Sequence, residues 1–294
     1  MGDLDFSLKE EERCEFLVTT KRKKIWKIEL EIAKEVKRIC EKYNIKYFII
    51  WGTLLGAVRH EGFIPWDDDF DIGFLREDYM KFCKVAAEEI KNPFYFQNAL
   101  TDKQFFIGYA RIRHINSTAW IIENSSPEYN NGIFVDIYPF DVVIHNVFIR
   151  KIQMNMINAA IWAAANYNNP PIYCWKFLKK IVPYGFIVKL HEKLCCMFNK
   201  CFFEQNIGLM YRPEEIEEGY WFHKRDVEKT VKLRFENIEF AAPKGYENIL
   251  KNVYGNYMKL PPKGKRGMWH ENQIVFDPDI PYKEFYKLMF LRGD

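Results

Sequence analysis

No run of about 18 uninterrupted apolar residues occurs in this 294-residue chain, so a membrane-spanning helix is not expected. A secretory leader is not expected either, since residues 1–20 carry eight charged side chains and no apolar segment. One-sided charge is also absent. Forty-three basic residues stand against 40 acidic ones, and a net charge of +3 argues against nucleic acid as the partner. There is no internal repeat and no low-complexity tract, which excludes solenoids and disordered linkers. Paired-cysteine spacing is lacking as well. The seven cysteines are odd in number, and His191, Cys195, Cys196 and Cys201 fit no standard zinc pattern. Free thiols buried on a helix, in a reducing cytoplasm, are the expectation.

What the chain does have is apolar and aromatic mass. Hydrophobic residues make up 48% and aromatics 17%, enough for one large domain or two small ones. The most informative stretch is WGTLLGAVRHEGFIPWDDDFDIG, residues 51–73. A Gly-Thr turn follows an apolar run, and acidic and apolar residues then alternate as in a strand. Alternation would put Asp67, Asp69 and Asp71 on one face and Phe70, Ile72 and Phe74 on the other. Carboxylates crowded on one face repel, and a cation or a raised pKa relieves them. Mg²⁺ beside substrate phosphates suits such a site, with Mn²⁺ as the alternative. The rival is an acidic surface loop, which the flanking turn and apolar alternation disfavour.

These residues resemble the LicD/fukutin-type phosphotransferases of the nucleotidyltransferase superfamily. The segments that carry the likeness are Trp51-Gly52-Thr53, then Asp69-Phe70-Asp71-Ile72, then Val135-Asp136-Ile137. GTLLGAVRH, GFIPWDDD, GIFVDIYPFD and the later NVYGNYMKLPPKGKR extend it. Thr53 stands where the superfamily usually has Gly or Ser. The resemblance implies an α+β fold, a nucleotidyltransferase-like mixed sheet flanked by helices. Residues 1–143 would form the core with an N-terminal helix, 144–210 a helical insertion, and 211–294 the remainder of the core. It also implies Asp69 and Asp71 as metal ligands and Asp136 as a second-metal ligand or base, with Asp67 in register beside the pair.

Gly52 and Thr53 can offer backbone amides to a phosphate at a helix start, and Thr53 suits an N-cap. Arg59 suits a phosphate clamp, and one of Arg111 and Arg113 would meet the nucleotide while the other pairs with an acid. His60 reads as structural more readily than as catalytic. Tyr254, Gly255, Pro261, Pro262, Arg266 and His270 would cap the site.

Elsewhere the periodicity predicts a helix over 21–43, where Lys21-Arg22-Lys23-Lys24 reads as a solvated start. Strands are predicted over 46–51, 70–75, 95–98, 105–114, 118–123, 133–138 and 231–240. Further helices are predicted over 53–59, 77–90, from Pro243 and from Pro281. Residues 144–205 read as a packed helical subdomain, the rival being a membrane-surface face.

The activity expected is Mg-dependent transfer of a phospho-alcohol from a CDP-linked donor, releasing CMP. The acceptor would be a hydroxyl of a cell-surface glycan or its lipid-linked precursor. Phosphocholine is the first choice, then ribitol or glycerol phosphate. Rivals are a true NTP nucleotidyltransferase and a non-catalytic glycan-binding protein. The expected location is cytoplasmic, with peripheral contact at the inner face of the membrane.

Overall fold

The structure, a computed structural model, describes residues 6–102, 106–122, 125–167, 180–267 and 273–290. A small hairpin, β1 (Glu11–Arg13) with β2 (Phe16–Val18), precedes α1 (Thr20–Lys42). Then come β3 (Phe48–Ile49), α2 (Trp51–His60), β4 (Asp71–Leu75), α3 (Arg76–Glu89), β5 (Phe94–Gln97), β6 (Ala110–His114), β7 (Thr118–Ile121) and β8 (Ile133–Val142). Two helices, α4 (Val147–Ala165) and α5 (Tyr184–Cys195), interrupt the sheet before β9 (Asn206–Gly208), α6 (Pro213–Glu218), β10 (Trp221–His223) and α7 (Arg225–Glu228). The chain closes with β11 (Thr230–Phe235), β12 (Ile238–Pro243), α8 (Tyr246–Tyr254), β13 (Ile274–Asp277) and α9 (Tyr282–Phe290).

The fold is α+β. Its seven-stranded mixed sheet is organised around β8, whose ten residues are all buried. Helix-bearing connections allow β4 to lie parallel along one edge of β8. On the other edge, β6 runs antiparallel along the first half of β8 and β9 along its last two residues. β3, β5 and β10 extend the sheet from β4, β6 and β9. Helix α1 owes its position to Ile25, Ile28, Ile32, Val36 and Ile39, which recur at three- and four-residue steps and are all buried. Thr19 caps it by accepting the Arg22 amide at 3.3 Å.

An aromatic cluster anchors the acidic loop from below. Trp26 stacks on Phe63 at 4.6 Å, and Phe70 packs edge-on against Phe235 and Phe63. Burying rings of this size contributes about 2–3 kcal/mol each. The segment leading into β4 is therefore held at both ends, by Phe63 and by Phe70.

Several local expectations change. The strand begins at Asp71, so the alternation does not reach back over residues 67–70. Asp67 and Asp69 are half-buried, and Asp68 is buried between them. The basic run is not a solvated helix start, because Arg22 and Lys23 are buried. Lys23 pairs with Glu11 at 2.7 Å and Arg22 donates to the Asp67 carbonyl at 2.6 Å. Residues 231–240 form a hairpin rather than one strand, and the helix predicted from Pro243 starts at Tyr246. His270 and part of the strands predicted over 105–114 and 118–123 lie outside the described residues, as does the stretch 168–179. Among the described residues no helix is long and apolar enough to cross a membrane.

Candidate active site

The register of three strands builds one rung of polar side chains. Asp71 on β4 faces Asp136 on β8, and Asp136 faces Arg111 on β6. Directly paired residues project from the same face of a sheet, so the three side chains are neighbours by topology alone. Arg111 donates from Nε to Asp136 Oδ1 at 2.5 Å. Tyr138 donates to Asp136 Oδ2 at 2.9 Å, and Tyr109 reaches the same oxygen at 3.3 Å. Asp136 is thus fixed by three donors, whereas Asp71 Oδ1 is buried with no hydrogen-bond partner.

Helix α2 supplies the second wall. Thr53 does not act as its N-cap. The helix starts two residues earlier, and the Thr53 hydroxyl accepts the Asp71 amide at 2.8 Å, tying α2 to the start of β4. Trp51 adopts a left-handed backbone with φ of 49°, costly for a bulky residue, and its ring is held against Phe140 and Phe222. Gly52 is needed for space. A Cβ there would lie 2.6 Å from Asp67 Oδ2 and 3.8 Å from Asp69 Oδ1. No side chain caps α2, and the Asp67 and Asp69 carboxylates lie against its first turn.

The loop that carries Asp67 is pinned through its backbone. Arg22 Nη1 and Trp26 Nε1 both donate to the Asp67 carbonyl, at 2.6 and 3.1 Å. The Asp67 and Asp69 carboxylates both approach Gly52. Burial, then repulsion from Asp69, Asp136 and Asp67, pushes the Asp71 carboxyl well above the usual carboxylate range; Tyr138 offsets part of this. Burial, Asp69 and Asp68 push Asp67 the same way. Glu29 on α1 is also driven up, by burial and then by Asp69, Asp68 and Asp67, and its Oε2 is buried without a partner.

Such a cluster suits a cation. The orphaned oxygen on Asp71 and the upward displacement of its neighbours are what a small divalent ion would relieve. Among the described residues, no three His, Cys, Asp or Glu side chains form a ready cage. That fits an ion held by one or two carboxylates together with substrate phosphates, the usual mode for Mg²⁺.

The remaining expected residues fall into two groups. Arg59 stands near the site but is engaged. Its Nη1 donates to the Tyr257 carbonyl at 2.8 Å and its Nε to His60 Nε2 at 2.9 Å. Burial and the Arg59 charge bring His60 down to about 4, so it is a neutral acceptor at pH 7. Arg266 donates to the carbonyls of Pro261 and Cys14 and lies over the Trp66 ring, fastening the C-terminal segment to the β1–β2 turn. Burial, and then repulsion from Asp67, Asp71 and Asp69, pushes the Tyr254 hydroxyl above its ordinary value. Arg113 shares the rung's face of β6 but is engaged away from the carboxylates. It is fully buried and bonded to Gln97 Oε1 and, at 2.8 Å, to the Gly132 carbonyl. Arg111 is the member of the pair that meets an acid. Burial works against its charge, and Asp136 overcomes that and holds its pKa above the ordinary value.

Sequence reasoning missed Glu29, Tyr109 and Tyr138. Glu29 had a legible signal, because it occupies an inward position of the α1 stripe between Ile25 and Ile32. Tyr138 lies two residues beyond Asp136 and so shares its face.

Residues 44–183 match the family described as LicD/FKTN/FKRP, nucleotidyltransferase domain. Over 246 residues, 80% of this chain and 90% of the relative, the sequence is 27% identical to the lipopolysaccharide cholinephosphotransferase LicD of Haemophilus influenzae. It is 28% identical over 95 residues to the human ribitol 5-phosphate transferase FKRP, covering 31% of this chain and 19% of that one. A 58-residue stretch is 56% identical to an uncharacterised protein of Rickettsia prowazekii, covering 20% of this chain and 22% of that protein. The matched domain contains Gly52, Asp69, Asp71, Arg111 and Asp136, so the acidic rung and the start of α2 lie in a segment similar to the LicD/FKTN/FKRP nucleotidyltransferase domain.

Proposed function

We propose that this chain is a phosphotransferase that moves a phospho-alcohol from a CDP-linked donor to a hydroxyl of a glycan, releasing CMP. Phosphocholine is the group proposed first, with ribitol phosphate or glycerol phosphate next. The observation that carries the reading is the rung of Asp71, Asp136 and Arg111 beside the uncapped start of α2. Supporting it are relatives named for cholinephosphate and ribitol 5-phosphate transfer.

Phosphoryl transfer depends on charge neutralisation and alignment more than on covalent chemistry. Asp69 and Asp71 would hold Mg²⁺, which when bound supplies positive charge to the donor phosphates. The amides of the first turn of α2 favour an anion, and Gly52 leaves room for its close approach. Thr53 keeps Asp71 in place through its backbone amide. Asp136, oriented by Arg111, Tyr109 and Tyr138, accepts the proton of the attacking hydroxyl through a lone pair those donors leave open. The hydroxyl oxygen bonds to the β-phosphorus as the bond to the CMP oxygen breaks, and CMP departs with that oxygen.

A panel of CDP-linked alcohols with Mg²⁺ tests the reading. CMP release with one of them, dependent on a glycan acceptor, supports it. Pyrophosphate release from an NTP, with no CDP-linked compound active, would favour a nucleotidyltransferase instead. The site is proposed to work on the cytoplasmic side of a membrane, where nucleotide-linked donors are made.

A further inference from the structure

Helices α4 and α5 bury one side and expose another that is not polar. On α4, Met154, Ile157, Ala160 and Ala164 face inward. Phe148, Ile152 and Met156, at steps of four, face out, and Phe148 is 74% exposed. On α5 the outward stripe is Phe186, Leu190 and Lys193, with Lys189 beside it, and Met197 continues it just past the helix end. The turn that follows presents Phe202 and Phe203, 91% and 96% exposed. A surface helix normally places charge opposite its buried face. Here bulky apolar groups occupy that position, and two adjacent phenylalanines stand free at a loop.

Charge follows the same surface. Residues 144–167 and 180–203 contain six basic side chains and one acid, Glu192, for a net +5, against +3 for the whole chain. The remainder of the molecule is therefore negative. Lysines within an apolar stripe do not suit the core of a protein–protein interface, which is depleted in lysine. They do suit an interfacial helix, whose apolar groups enter the acyl boundary while lysines meet anionic headgroups. We propose that this surface docks the protein on an anionic lipid bilayer, with Phe202 and Phe203 as inserting groups. The surface stands apart from the acidic rung. β8 runs from Asp136 to Val142 toward α4, about 20 Å of extended chain. The proposed docking surface is therefore distinct from the acidic rung.

The test is co-sedimentation of the full chain with vesicles of phosphatidylcholine, with and without phosphatidylglycerol. The expected result is binding stronger with phosphatidylglycerol by about tenfold or more, since each lysine near such a surface contributes on the order of 1 kcal/mol. The double variant Phe202→Glu/Phe203→Glu should lose about tenfold or more of that binding. Lys189→Glu/Lys193→Glu should remove the phosphatidylglycerol dependence. All four side chains are solvent-facing, so melting temperature and turnover on a water-soluble acceptor should stay unchanged in both variants. Equal sedimentation with the two vesicle types would overturn the proposal. So would a dimer in light scattering that the same substitutions abolish, which would assign the surface to a second copy of the chain.

Discussion

Asp71→Asn should make the metal-free protein more stable while it removes activity. Asp71 is 4% exposed, faces Asp136 across one strand spacing and is further repelled by Asp69. Two unit charges about 5 Å apart at an effective dielectric near 20 repel by about 3 kcal/mol. Tyr138 and the Arg111 guanidinium offset part of this, leaving a net gain of about 1–2 kcal/mol on removing one charge. For a chain of this size that raises the melting temperature by about 2–3 °C. The sign with pH follows from linkage. The folded carboxyl titrates above its unfolded value, so the native state binds more protons and wild-type stability falls as pH rises above about 4. The advantage of the variant should therefore be largest near pH 8 and vanish near pH 4. Thermal melts without metal across that range are the assay. A variant less stable than wild type at pH 8 would refute the electrostatic reading of the site.

Three further outcomes are expected. Mg²⁺ should raise the melting temperature of the wild type more at pH 8 than at pH 5, because protons and metal compete for the same carboxylates; equal gains at both pH values would contradict this. Thr53→Val leaves the Asp71 amide without its buried acceptor. Chemical denaturation should show a loss of about 1–3 kcal/mol, with turnover reduced more than donor affinity. Asp136→Asn should lower turnover by on the order of 10²-fold or more while donor binding, measured by calorimetry, changes little; near-normal turnover would make Asp136 a structural residue.

Much of this was legible in the chain because it rests on periodicity and on contiguous motifs. The α1 stripe and the β4 and β8 segments can each be read locally, whereas the Gly-Thr turn expected at Gly52 is the first turn of α2. The partnership between Asp71 and Asp136 was suggested only by resemblance, since residues 65 positions apart meet through strand register that no local pattern encodes. The misreadings have physical causes. Thr53 fits an N-cap by propensity, but tertiary structure offers its hydroxyl a buried amide from β4. The alternation through Asp67 and Asp69 mimics a strand, yet Arg22 and Trp26 hold that backbone as a loop. Lys23 sits in a basic run that looks solvated until the β1–β2 hairpin brings Glu11 over it. That hairpin carries too few residues to announce itself.

The central claim is that attack falls on the β-phosphorus of a CDP-linked donor at the Asp69–Asp71 centre. Its most direct test is a single-turnover reaction with Mg²⁺, a glycan acceptor and CDP-choline radiolabelled at the β-phosphorus. The label should appear on the acceptor, CMP should be the released product, and Asp69→Asn should abolish both. Release of labelled phosphocholine with CMP attached to the acceptor would place the attack on the α-phosphorus, and undiminished transfer by Asp69→Asn would place the chemistry outside this acidic centre.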